Sequence, residues 1–207
     1  QTRAARVGEV MVQFEASPGA PQSVLVPEGF QIAGTDTGTG LLVTYETERS
    51  VWVAPGAMAA LLAQRGTIYT KLPVDGGTQF YPLSEKPRAG RALWIGLSSA
   101  VAPGPFLSLG IEVAGRSGMP RPVASGGLLQ EPPSPPVLLK WAVLDGTSIV
   151  DAEVIRDETE ALTRTGIVEL KLPRAWDPGE PNGSGGGIMR WLRMRLEFGR
   201  FEAGPRL

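Results

Sequence analysis

Arg190–Phe198 reads RWLRMRLEF. Leu192, Met194, Leu196 and Phe198 occupy every second position, and Arg193, Arg195 and Glu197 fall between them. A period of two is that of a half-buried β-strand, whose side chains point alternately to opposite faces. A helix would scatter these four apolar residues around its circumference. The same alternation recurs along the chain, so the fold must be assembled from strands.

Val10, Val12 and Phe14 alternate in Glu9–Phe14. Short strands are predicted at Ser23–Val26, Phe30–Ala33, Leu41–Thr47, Ser50–Ala54 and Thr67–Leu72. Phe80–Leu83 reads as extended but broken by Pro82. Ala92–Leu97 (ALWIGL) is apolar on both faces, as a central strand would be. Phe106–Val113 places Leu107, Leu109, Ile111 and Val113 on one face. Val137–Leu144, Ala152–Arg156 and Gly166–Leu172 follow, the last with Val168, Leu170 and Leu172 inward. Turn residues separate these runs: Pro27-Glu28-Gly29, the polar tip Thr35–Gly40, Asp75-Gly76-Gly77 and Asp145-Gly146.

Two segments read as helical turns. Ala57–Gln64 (AMAALLAQ) consists of strong helix formers, with Gly66 placed for a C-terminal cap. Asp157–Glu160 has capping-box spacing, with Asp157 as the cap and Glu160 reaching back. Two long Gly/Pro segments, 115–136 with its six prolines and Trp176–Gly187, read as surface loops, the second of them flexible. The expected architecture is all-β: an antiparallel β-sandwich, jelly-roll-like, over residues 67–207. A smaller N-terminal β element covers 1–66, and one or two short helices complete it. The chain begins without Met, which reads as an excised piece of a longer polypeptide.

Composition removes most function classes. The chain has no cysteine and no histidine. Disulfide frameworks and zinc–thiolate sites are therefore excluded, and so are the commonest general base and transition-metal ligand. A net charge of −1 supplies no field for nucleic acid. No apolar run approaches the ~20 residues needed to span a bilayer, so membrane insertion is not expected. No cofactor is expected either: Gly183–Gly187 lacks the Lys-Ser/Thr of a phosphate-binding loop, and no serine lies in a nucleophile elbow.

Acidic residues Asp145, Asp151, Glu153, Asp157, Glu158 and Glu160 could in principle supply the two carboxylates of a glycosidase, held ~5–9.5 Å apart. Their positions at turns and caps favour a structural reading. Five tryptophans, Trp52, Trp94, Trp141, Trp176 and Trp191, could build a sugar-stacking platform, the basis of an alternative reading as a carbohydrate-binding sandwich. Alternation assigns Trp94 and Trp141 to the core. It places Trp191 on the face of Arg193 and Arg195. There it serves either as an interface anchor or as packing for a neighbouring loop. Arg190, Arg193 and Arg195 form the densest cationic cluster and suit pairing with acidic groups, on this chain or a partner.

An ordered set of motifs adds to this reading. Leu138, Lys140-Trp141 and Asp145-Gly146 are followed by Val154 and by Asp157-Glu158-Thr159-Glu160-Ala161-Leu162-Thr163-Arg164-Thr165-Gly166. Then come Val168, Leu172-Pro173 and Arg190-Trp191-Leu192-Arg193-Met194-Arg195-Leu196. Upstream lie Val26-Pro27-Glu28-Gly29-Phe30, Tyr45-Glu46-Thr47 and Ala92–Leu97. The set resembles the baseplate assembly proteins, the baseplate J-like wedge components of contractile phage tails and contractile injection systems. It departs from their pattern at Lys140 and at Ser148-Ile149. The resemblance spans about residues 9–205 and implies a structural, non-enzymatic role. It also implies partners among the other wedge subunits and copies of itself. The implied location is the bacterial cytoplasm during assembly, then a phage-tail-like particle. It transfers no catalytic residue.

Overall fold

The computed structural model describes residues 12–16, 23–98, 104–114, 137–201 and 203–207. They form β1 (Val24–Val26), β2 (Gln31–Thr35), β3 (Leu42–Glu46), β4 (Val51–Val53), β5 (Ala57–Arg65) and β6 (Ile68–Leu72). The chain continues with β7 (Ala92–Ser98), β8 (Phe106–Ile111), β9 (Leu138–Asp145) and β10 (Ser148–Asp151). It ends with β11 (Glu153–Asp157), β12 (Gly166–Lys171) and β13 (Arg190–Phe198). All named pairings are antiparallel, and no helix occurs among the described residues. The all-β expectation holds and the short helices do not.

The large sheet has the order β10-β9-β13-β7-β5-β6, and a smaller one the order β11-β12-β8. One apolar core joins them. The large sheet contributes Leu61, Leu93, Ile95, Trp141, Val143, Leu192, Met194 and Leu196; the small sheet contributes Leu107, Val168 and Leu170. Each fully buried Leu or Met here stabilises the fold by about 1.5–3 kcal/mol relative to an exposed one. β1-β4 and the hairpin β2-β3 form two further antiparallel pairs; β4 lies against β8, with Trp52 N donating to Ser108 Oγ at 3.1 Å, whereas β2 and β3 contact only each other among the strands.

The predicted helix at Ala57–Gln64 is instead strand β5. Its register runs Leu61↔Leu72 against β6 and Leu61↔Ile95 against β7, so it is hydrogen-bonded on both edges. Adjacent Leu61 and Leu62 are both buried, in separate apolar clusters on opposite faces of the sheet. Helix propensity distinguishes ordinary residues by at most about 0.7 kcal/mol each, less than pairing and two-sided burial supply here. Gly66 does not cap a helix. At φ 60° it is the first central residue of the two-residue β5–β6 turn, as a type II′ hairpin requires. The boundary expected after residue 66 therefore falls inside a hairpin, and β5 belongs to the large sheet.

The turn after β11 also differs from expectation. Glu160, Ala161 and Leu162 have φ of 50°, 56° and 64°, a left-handed turn rather than a right-handed one. Asp157 does cap it: Oδ1 accepts from Thr159 N at 2.8 Å and Thr159 Oγ1 at 2.6 Å, and Oδ2 from Ala161 N at 3.1 Å. Glu160 does not reach back; it pairs with Arg164 at 3.1 Å. Leu162 is held buried, which ties the strained backbone to the core.

Pro82 and Leu83 form a turn rather than extended chain, closed by Ser84 N donating to Tyr81 O at 3.4 Å, while Phe80 exchanges backbone hydrogen bonds with Leu207. β10 emerges where no strand was predicted, paired through Ser148↔Asp145 after the Gly146 turn. The strand expected at Glu9–Phe14 lies largely outside the described residues, and its described part, 12–14, is not in a strand. The loop 115–136 lies outside them entirely.

Candidate functional site

Strand β13 is the central element from which the candidate site is built, flanked by β9 and β7. Its core face is as the alternation predicts for Leu192, Met194 and Leu196, which are essentially inaccessible to solvent, but Phe198, beyond the register shift after Leu196, is exposed. Its other face is only partly open.

Trp191 is 0% exposed, which corrects its expected outward placement. Its cross-strand neighbour on β7 is Gly96, and a Cβ at Gly96 would lie 2.9 Å from Trp191 Cζ3. Above the ring runs the Gly-rich segment, where a Cβ at Gly186 would lie 2.7 Å from Cζ2. The indole Nε1 donates to Gly187 O at 3.1 Å. Glycines on two sides thus make a slot as thin as the ring. Leu62, Trp94 and Leu144 close the cluster, with Met189 against it.

The segment Trp176–Gly187, expected as a flexible loop, is therefore, with Met189, the cover of this face. Trp176 is buried in the main core. Asp177 N donates to Asp145 Oδ1 at 2.7 Å, and Gly179 bridges to Met189.

Arg190 separates from the other two arginines. It shares parity with Leu192, so it points to the core side. It is 8% exposed, and its Nε donates to Trp176 O at 3.0 Å. Parity alone could have made this separation.

Arg193 and Arg195 remain together beyond the covered part. Arg193 lies directly across from Trp94, its guanidinium carbon 5.5 Å from the ring centroid. Such a cation–π contact contributes about 0.5–2 kcal/mol, depending on desolvation. Trp94 is fixed by its Nε1 donating to Gln64 Oε1 at 2.8 Å and by Tyr69, 6.4 Å away between centroids. The Arg193 Nε is buried without a hydrogen-bond partner. Burial lowers the Arg193 pKa, and Arg195 adds to this, with Asp151, Glu197 and Tyr69 opposing. Burial raises that of Tyr69, with Arg193 opposing.

Arg195 is more open. Its Nε lies 3.5 Å from Glu197, and it stands across from Lys140, which pairs with Asp151 at 2.9 Å. Exposed pairs of this kind contribute about 0–1 kcal/mol each and can exchange partners readily. The open part of the face thus presents two guanidinium groups, one partly desolvated, beside Tyr69, Gln64 and Lys140. Tyr69 and Gln64 were not identified from sequence. Their signal is their cross-strand alignment, Gln64↔Tyr69 and Gln64↔Ala92, which only the register reveals.

The acidic candidates are engaged locally. Besides Asp157, Asp145, Asp151 and Glu160 just described, Glu153 pairs with Lys171 at 3.1 Å. Glu158 pairs with Arg49 and, at 3.7 Å, with Arg156. Among the described residues no group of three or more Asp or Glu side chains is placed to hold a metal. Asp36 caps its own hairpin tip, between β2 and β3, and Asp75 caps its own turn in the β6–β7 connection. Backbone hydrogen bonds, from Thr39 to Asp36 and from Thr78 to Asp75, lead the effects that hold their pKa values below the usual 3.8. Trp94, Trp141, Trp176 and Trp191 are at most 3% exposed, and half-buried Trp52 stacks on Phe106 at 5.7 Å. No tryptophan stands clear as a sugar platform.

Compared with known proteins, the chain matches no family model and no curated protein.

Proposed function

We propose that this chain is a jelly-roll-like β-sandwich module of a baseplate wedge protein in a contractile tail or injection machine. It acts by protein–protein contact and not as an enzyme. It joins other wedge subunits, and copies of itself, in the bacterial cytoplasm during assembly, and it persists in the finished particle. The resemblance in motif order motivates the assignment to a wedge. The observation that carries the contact role is Arg193: a partly buried guanidinium whose Nε has no hydrogen-bond partner, over the Trp94 ring beside half-buried Arg195. Desolvated arginine next to an aromatic ring is what protein interfaces concentrate at their centres. Apolar residues facing each other from the two sheets support the sandwich reading.

The test is co-expression with each wedge subunit encoded beside this chain, followed by size-exclusion chromatography. The expected result is a stable complex that Arg193→Glu and Arg195→Glu both weaken, with the melting temperature changing little in Arg195→Glu. A neighbourhood without sheath, tube or spike genes, or a complex indifferent to both substitutions, would remove the reading.

A further inference from the structure

A second cationic group lies away from the face of Arg193 and Arg195. Lys86–Arg91 reads KPRAGR. Residues 88–91 form a β-turn closed by Arg91 N donating to Arg88 O at 3.2 Å, with Gly90 at φ 88° as the third residue of a type II turn requires. The turn brings Arg88 and Arg91 within about 7 Å at their Cα atoms. It is anchored by Gly90 N donating to Leu196 O and Leu196 N to Arg91 O, at 2.8 and 2.9 Å. The β5–β7 register pairs Gln64 with Ala92, so one step further Arg65 stands opposite Arg91. Arg65 and Arg91 share the parity of Leu61 and Leu93 and lie at the rim of the core face.

Arg65 and Arg88 are exposed and Arg91 is half-buried. No described carboxylate forms an ion pair with any of the three. Glu85, close in sequence, is exposed and pairs with none of them. Six other cations, Lys140, Lys171, Arg49, Arg156, Arg164 and Arg195, have acidic partners, while Lys71, Arg174, Arg193, Arg200 and Arg206 have none among the described residues; what distinguishes the trio is that its three charges lie together. Burial lowers the Arg91 pKa, and repulsion from Arg65 and Arg88 lowers it further, with no carboxylate opposing. Three like charges kept together without a counter-charge fit a negatively charged partner.

We infer that Arg65, Arg88 and Arg91 form a docking patch for an Asp/Glu-rich segment of a partner protein. Planar guanidinium forks pair bidentately with carboxylates, and three of them match a short run of acids. Nucleic acid fits less well. None of the three arginines has an aromatic ring beside it of the kind on which single-stranded bases stack.

The experiment is a fluorescence-anisotropy titration of the chain into a fluorescein-labelled oligoglutamate peptide at low salt. Single-stranded DNA of equal charge serves as the second probe. The expected result is saturable peptide binding that weakens as salt rises. It should become roughly tenfold weaker in the Arg65→Gln/Arg88→Gln/Arg91→Gln variant and stay unchanged in Lys171→Gln/Arg174→Gln, which removes exposed charge elsewhere on the chain. Should the triple variant fail to fold, Arg88→Gln alone, at an exposed turn position, should still weaken binding roughly threefold. The inference is overturned if the peptide does not bind, or if the rim substitutions leave binding intact. It is also overturned if the Lys171/Arg174 variant loses binding to the same degree, or if the DNA binds more tightly through the same three arginines.

Discussion

Trp191→Ala separates a buried indole from an exposed one. An exposed tryptophan on a sheet surface can be truncated at little cost to stability, within about 0.5 kcal/mol. Trp191 is 0% exposed, in a slot between Gly96 and Gly186, with its Nε1 hydrogen-bonded to Gly187 O at 3.1 Å. Removing it empties that slot and leaves the Gly187 carbonyl unpaired, and a buried Trp→Ala change costs about 3–5 kcal/mol. For a chain of this size that lowers the melting temperature by roughly 6–20 °C. Circular dichroism in the β-sheet region, with a parallel urea titration, reads the change without relying on tryptophan fluorescence. Trp191→Phe, which keeps a ring and loses the hydrogen bond, should fall between, at about 1–2 kcal/mol. A Trp191→Ala protein melting within about 3 °C of wild type would refute the covered-face reasoning, because the ring would then face water.

Leu196→Ala, on the core side of β13, should cost about 2–5 kcal/mol by thermal or urea unfolding, whereas Arg195→Ala should stay within about 0.5 kcal/mol. Asp157→Ala removes three hydrogen bonds from the left-handed turn and should lower stability by about 1–2 kcal/mol in urea unfolding, most visibly as faster amide exchange around Thr159. Asp36 and Asp75 have folded pKa values below 3.8, so their contribution is fully present above the unfolded value and is lost as pH falls through the lowered folded one. Stability followed downward from about pH 5 should therefore decline less steeply in an Asp36→Asn/Asp75→Asn variant than in wild type.

Several of these outcomes could be argued from sequence alone and others could not. The bounds of β13 and its core-facing Leu192, Met194 and Leu196 follow from a local period, which survives any tertiary arrangement. The inward Val168, Leu170 and Leu172, and the buried central run Ala92–Ile95, were legible for the same reason. The Asp145-Gly146 and Asp75-Gly76 turns were legible because positive φ selects glycine locally.

Alternation states which residues share a face, but not whether that face meets water. The face of Trp191, Arg193 and Arg195 is divided by the segment 176–189, which covers Trp191 and leaves Arg195 open. A glycine-rich cover has no periodicity, so its docking is set by the slot it meets across the sheet. Ala57–Gln64 shows the same limit. Its residues favour a helix by small local increments, and two neighbouring strands outweigh them by pairing on both edges and burying both leucines. Sequence by itself determined an all-β chain, most of its strands and the core side of its last strand. Tertiary structure decided which strands became neighbours and which half of the arginine face stayed open, because both depend on contacts between residues far apart in the chain.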